Sequence, residues 1–128
     1  MHDTSNEHNI YLGSREVPSH DVFINRNLLY NGSYNGVQIN GRFTNLHIEQ
    51  NVLYSNGLSG ISLTQRVSSS FIANNLAFNN SRNGLVLFNY DGNCLDSPPG
   101  PICPYDQRDN VIENNTFWAG TTDAGGSR

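Results

Sequence analysis

"IEQNVLY", residues 48–54, sets an apolar residue, two polar ones, an asparagine, two apolar ones and an aromatic in a row. The same outline returns in "INRNLLY" at 24–30, "IANNLAF" at 72–78 and "IENNTFW" at 112–118. Asn27, Asn51 and Asn75 are 24 residues apart, and Asn115 follows after 40. A fixed period of this size marks stacked repeats, each able to bury its apolar face only against its neighbours.

Outward from the asparagine, each unit carries a second apolar run behind a glycine: "GVQI" at 36–39, "GISL" at 60–63 and "GLVL" at 84–87, with "NIYL" at 9–12 in the same slot. Apolar residues alternate with others in both runs, which is the period of a strand with one face inward. The alternation predicts an inward set of Ile10, Leu12, Val37, Ile39, Ile61, Leu63, Leu85 and Leu87 from one strand. Val22, Ile24, Leu46, Ile48, Ile72 and Ile112 come from the next. A third strand such as "VLY" follows each asparagine, and no segment holds a helical period. Asn-Gly and Asp-Gly pairs at 31, 35, 40, 56, 83 and 91 are expected to supply the positive φ of the turns.

Each unit is therefore one coil of an all-β solenoid, and coils stack about 4.8 Å apart as rungs of a parallel sheet. An asparagine at one place in every coil can turn inward and bond to the backbone and to the next asparagine, so Asn27, Asn51, Asn75 and Asn115 are expected to form a structural ladder. "LHIEQNVL" at 46–53 also fits the strand segment of a leucine-rich repeat, but the following "YSNGLSGISL" brings a second alternating strand where that repeat has a helix or a Leu-rich segment.

The units "INRNLLYNGSYNGVQI" and "IEQNVLYSNGLSGISL" resemble coils of the right-handed parallel β-helix superfamily, the pectate-lyase-like group, and the likeness extends over residues 9–118. The resemblance implies a right-handed parallel β-helix of four to five coils over 1–128, either whole or part of a longer β-helix. It also implies a function drawn from polysaccharide lyases, glycoside hydrolases, uronan epimerases or non-catalytic surface and tail proteins.

Two departures from the period fall in the same turn. The link from Leu12 to Ile24 is three residues longer than its counterparts, and that from Leu87 to Ile112 is sixteen longer. The inserted loop, 88–109, holds four of the five prolines and both cysteines. Cys94 and Cys103 suggest a disulfide and hence an oxidising, extracellular or periplasmic setting, although the polar first ten residues are no signal peptide. Two reduced thiols are the alternative. Insertions gathered on one face of a solenoid mark its working side.

All seven basic residues are Arg against 11 acidic ones, which argues against a nucleic-acid partner, and no apolar run is long enough to span a membrane. In the resembling superfamily the groove follows the outward face of the glycine-led sheet, here Tyr11, Gln38, Ser62 and Val86, which offers neither acid nor base. Catalytic residues are therefore left unassigned.

Three residues past the last inward position of each glycine-led strand come Arg15, Arg42, Arg66 and Tyr90. Such a guanidinium row can take carboxylates of a uronate polymer, or it can cap turn carbonyls. Asp91, Asn93 and Asp96, with Asp106 and Asp109 near, have the oxygen chemistry calcium prefers. Calcium there would bridge polymer and protein, as the resemblance to pectate lyases implies; a solvated acidic loop is the alternative. The aromatic register Tyr30, Tyr54, Phe78 and Trp118 can pack or stack on sugars, with Trp118 the most available. His47 is expected to project into solvent, and His20 lies beside Asp21 in the lengthened turn. Short polar ends cap a solenoid poorly, so a homo-oligomer or a continuation into further coils is expected. Two functions follow: contact with an acidic polysaccharide as a lyase or epimerase relative or remnant, or a non-catalytic structural or interaction module.

Overall fold

The computed structural model describes residues 7–88 and 107–119, without the side chains of Arg15 and Ala119. Among these residues every element is a strand, and every strand pairing is parallel. One sheet holds β1 (Ile10–Asn25), β3 (Val37–Glu49), β5 (Ile61–Ser68), β6 (Phe71–Ala73), β8 (Leu85–Phe88) and β9 (Val111–Glu113). The other holds β2 (Leu28–Tyr30), β4 (Val52–Tyr54), β7 (Leu76–Asn80) and β10 (Thr116–Ala119). β1 and β3 each run through a bend and so form two legs of their coil, a task that β5 and β6 share in the next. The stack makes about three turns where four to five coils were expected, because four rungs enclose three intervals and the path from Phe88 to Gln107 lies outside the described residues.

The register is that of the repeat: Val37 pairs Ile61 and Ile61 pairs Leu85, while Ile48 pairs Ile72 and Ile72 pairs Ile112. Inward side chains thereby pile into columns, and Val37, Ile39, Leu46, Ile48, Ile61, Leu63 and Ile72 are wholly buried. Leu29, Leu53 and Ala77 from the second sheet, with Phe43 and Val67, complete this core. Ile10, Leu12, Val22, Leu85 and Leu87 are only partly buried against it, since they lie on the outer coils. Ile112 keeps its inward register but is 43% exposed, being on the last described rung.

The bends are made differently from the expectation. Positive φ falls on single non-glycine residues in register: Asp21, Asn45, Ser69 and Asp109 at one bend; Arg26, Gln50, Asn74 and Asn114 at the next; Asn31, Ser55 and Asn79 at the third. Of the Asn-Gly pairs in the described residues, only those at 31 and 40 contribute a positive φ, through Asn31 and Gly41. Gly36 and Gly60 recur for a steric reason instead, because a Cβ on either would come within 2.8 and 2.7 Å of the carbonyl oxygens of Gly60 and Gly84 in the neighbouring coil.

Asn27, Asn51, Asn75 and Asn115 stack as a ladder. The backbone N and Nδ2 of Asn51 both donate to Asn75 Oδ1, at 3.0 and 2.9 Å, and Asn51 Nδ2 also donates to Ile24 O at 2.7 Å. Asn27 bonds in the same way to Asn51 Oδ1, and Asn75 to Asn115 Oδ1. The amide oxygens of Asn51, Asn75 and Asn115 each accept twice and the amide nitrogens of Asn51 and Asn75 each donate twice, which closes the buried polar groups of the bend.

A second ladder at the third bend is absent from the sequence reading. Asn56 donates from N and Nδ2 to Asn80 Oδ1 at 3.1 and 3.0 Å, and Gly32 N donates to Asn56 Oδ1 at 3.0 Å. Gly32 has no amide of its own to add. Asn9 supplies one: its Nδ2 donates to Asn56 Oδ1 at 3.0 Å, and its amide fills the space that a Cβ on Gly32 would enter.

Candidate functional site

The lengthened turn after the glycine-led strands is where the coils stop superimposing. β1 follows β3 residue by residue up to Ser14 with Gly41, then slips so that Ser19 meets Phe43. Four residues of β1, 15–18, thus stand against Arg42 alone. The expected row breaks at its first member: Arg42 and Arg66 are register partners, whereas Arg15 lies in the bulge and its side chain is outside the description. Glu16, also in the bulge, accepts through its backbone oxygen from Arg42 Nη1 at 3.0 Å.

A third cation comes from beyond the insertion. Arg108 bridges Ser68 as an isolated rung, and with Arg42, Arg66, Thr44, Ser68 and Pro18 it lines a pocket of about 250 Å³. Arg42 and Arg66 are half-buried and Arg108 is exposed, so a charge entering the pocket meets two partly buried cationic residues and one solvated one. No carboxylate or imidazole belongs to the described lining. The sequence count missed Arg108 because it continued along the chain from Leu87 and landed on Tyr90, inside the insertion. Tyr90, Asp91, Asn93, Asp96, Cys94 and Cys103 all lie outside the described residues. Among those described, no three His, Cys, Asp or Glu side chains gather as metal ligands do.

The outward face of the glycine-led sheet, where the resembling superfamily has its groove, is recessed. Gln38 and Ser62 point outward but are 8% and 2% exposed, at the base of a pocket of about 360 Å³ walled by His8, Tyr34, Arg82 and Phe88. Gln38 is held in a polar network, accepting from Asn35 at 2.7 Å and donating to Thr64 at 3.1 Å. His8 stacks on Tyr11, lies tilted against Tyr34 and accepts through Nδ1 from Asn35 N at 3.1 Å, and burial holds its pKa below the ordinary value. An imidazole so placed is neutral at physiological pH and presents no charge to this pocket.

The aromatic register is consumed by packing over three coils. Tyr30 lies parallel to Tyr54 and Tyr54 to Phe78, with centroids 5.1 Å apart in both pairs, so the faces between successive rings are closed to a sugar. Trp118 is 68% exposed, where the register of β10 on β7 slips between Phe117 and Ala119. His47, expected in solvent, is half-buried between Phe23 and Phe71, with Nδ1 2.8 Å from Glu49. His20 remains exposed, 2.8 Å from Asp21.

A family model described as right handed beta helix region matches residues 3–125. Comparison with curated proteins gives no match, and neither does comparison with solved structures.

Proposed function

We propose, from the fact that this chain belongs to the right-handed β-helix family, that it binds an acidic polysaccharide in the arginine pocket of the lengthened turn, as a relative or remnant of polysaccharide lyases or epimerases. The supporting observation is that Arg42 and Arg66 are register partners on adjacent rungs, with Arg108 on the same pocket. Rungs about 4.8 Å apart repeat a cation on the length scale at which a uronate chain repeats its carboxylates. A guanidinium fork grips a carboxylate through two parallel hydrogen bonds, and the Thr44 and Ser68 hydroxyls can serve sugar hydroxyls beside it. With neither acid nor base in the described lining, the reading is one of binding, with no bond broken.

The test is retention on polygalacturonate and alginate affinity gels, with and without calcium, at rising salt. The protein is expected to be retarded at low salt and released as salt screens the contact. Arg42→Ala and Arg66→Ala are expected each to weaken retention about tenfold, the loss of a charged hydrogen-bond pair. Unretarded protein on both gels under all conditions overturns the reading.

A second reading, a structural or interaction module of a surface or tail protein, draws on a different observation. The outward side of the second sheet is apolar as well as its inward side: Leu28, Val52 and Leu76 form one column and Tyr30, Tyr54 and Phe78 the other. Leu28 and Leu76 are 52% and 39% exposed. A sheet apolar on both faces is the pattern of one covered on both. Sedimentation of the protein beside Leu28→Ser and Leu76→Ser separates the readings, because only an associating module changes its state while the gel behaviour stays put.

A further inference from the structure

We infer that Asn83 is a site of spontaneous deamidation, selected by the solenoid from the five Asn-Gly pairs of the described residues. The reaction needs a following amide nitrogen free to attack the side-chain carbonyl and a next residue without a side chain in the way, which is why Asn-Gly is its favoured dipeptide. Asn31, Asn35, Asn40, Asn56 and Asn83 all precede glycine, so local sequence gives each the same chance. Tertiary structure does not.

Four of the pairs are locked by the coil above or below. After Asn31, Gly32 N donates to Asn56 Oδ1 at 3.0 Å. After Asn35, Gly36 N donates to Ser59 O at 3.0 Å, while the Asn35 amide accepts from Ser59 N and donates to Gln38. After Asn56, Gly57 N donates to Gly32 O at 2.8 Å, and the Asn56 amide is a rung of the second ladder. Asn40 bonds both ways, to Tyr11 and from Thr64, and Gly41 is clamped between Ser14 and Gln65 so closely that a Cβ would fall 1.9 Å from Ser14 O.

Asn83 is different because its coil is the last regular one. Its carbonyl accepts from Gly60 N and that of Gly84 from Ile61 N, both at 2.9 Å, which holds the backbone on the side of the coil below, yet among the described residues neither the Asn83 amide nor the N–H of Gly84 has a hydrogen-bond partner. The glycine is fixed by packing, since a Cβ on Gly84 would come within 2.5 Å of Phe117 Cβ. The fold thus retains the residue that makes the reaction easy and omits the bond that would prevent it.

In the reaction Gly84 N, losing its proton to solvent, bonds to Asn83 Cγ and the side-chain nitrogen leaves as ammonia. Water then opens the five-membered imide at either carbonyl to give aspartate or isoaspartate at 83. The product places a carboxylate beside Arg82 on the wall of the 360 Å³ pocket, so that pocket turns from singly cationic to paired as the molecule ages.

Time-resolved peptide mapping of the full chain in mildly alkaline buffer tests this, with a parallel sample in denaturant. In the folded protein the acid form is expected to accumulate first at 83, with the four locked asparagines at least about tenfold slower because each must await local opening. In denaturant all five are expected to convert at comparable rates. Folded protein in which 31, 35, 40 or 56 converts as fast as 83, or in which 83 is as slow as they are while converting in denaturant, overturns the inference.

Discussion

At the asparagine bend the three steps from Asn27 to Asn115 repeat one another bond for bond, whereas at the turn one leg earlier β1 bulges between Ser14 and Ser19 and the chain between Phe88 and Gln107 is eighteen residues outside the description. The difference follows from who satisfies the backbone. At the bend each asparagine closes polar groups of its own coil and of the one below, so a change of length would orphan buried groups in two coils at once. The turn is also bonded from coil to coil, but by a different side chain each time: Asn45 donates to Asp21, Leu46 N to Ser70 Oγ and Ser70 N to Asn110 Oδ1. No single residue has to recur there, and lengthening a surface loop costs only logarithmically. The repeating part of the chain is therefore scaffold, and the irregular turn is where arginines from distant segments can meet.

The sharpest way to break this contrast is Asn51→Ala. Asn51 is 1% exposed, and its loss leaves Asn27 N and Nδ2, Ile24 O and Asn75 Oδ1 short of partners. A cost of about 3 kcal/mol in urea unfolding is expected, the size of an orphaned buried polar cluster. The second ladder grades the effect. Asn56→Ala is expected to cost about 2 kcal/mol and Asn9→Ala about 1, because without Asn9 the Asn56 oxygen still accepts from Gly32 N. If Asn9→Ala equalled Asn56→Ala, the first coil would depend on Asn9 for more than a patch over Gly32.

In the turn, Arg66→Ala is expected to change unfolding free energy by less than about 1 kcal/mol, as for other partly solvated charges, while reducing retention on acidic polymers. A larger loss of stability would move Arg66 from the working side of the contrast to the scaffold.

The same contrast explains what could be read from the chain alone. The first ladder was legible because the same side chain returns at every period and its bonding needs no other residue type. The second was not: Gly32 interrupts its column, and the replacing amide comes from Asn9, outside the repeat. The glycines recurred visibly but were assigned to turn φ, since the carbonyl of the next coil that forbids a Cβ is a contact between rungs and leaves no local pattern. Arg42 and Arg66 fell to simple counting because no insertion separates them. Counting failed at Arg15, where the bulge absorbs the extra residues, and at Arg108, because the sequence does not say at which residue the repeat resumes after the insertion.

The smallest expected effect belongs to Asp21, at the bend of this turn with φ 57. Its carboxylate accepts from Asn45 Nδ2 at 2.6 Å and lies 2.8 Å from the His20 ring, and these contacts, Asn45 foremost, hold its pKa below the ordinary value. A carboxyl whose pKa is depressed by folding adds stability above its unfolded value and loses it as pH falls through the folded one. Asp21→Asn removes the charge but keeps a residue that tolerates a left-handed backbone. The variant is therefore expected to unfold slightly more easily than the parent at neutral pH, with the difference closing below about pH 4. Asn45→Ala should reproduce most of that difference at neutral pH. A gap that persisted unchanged in acid would trace it to the backbone, and the turn would then be held, like the asparagine bend, by conformation and not by charge.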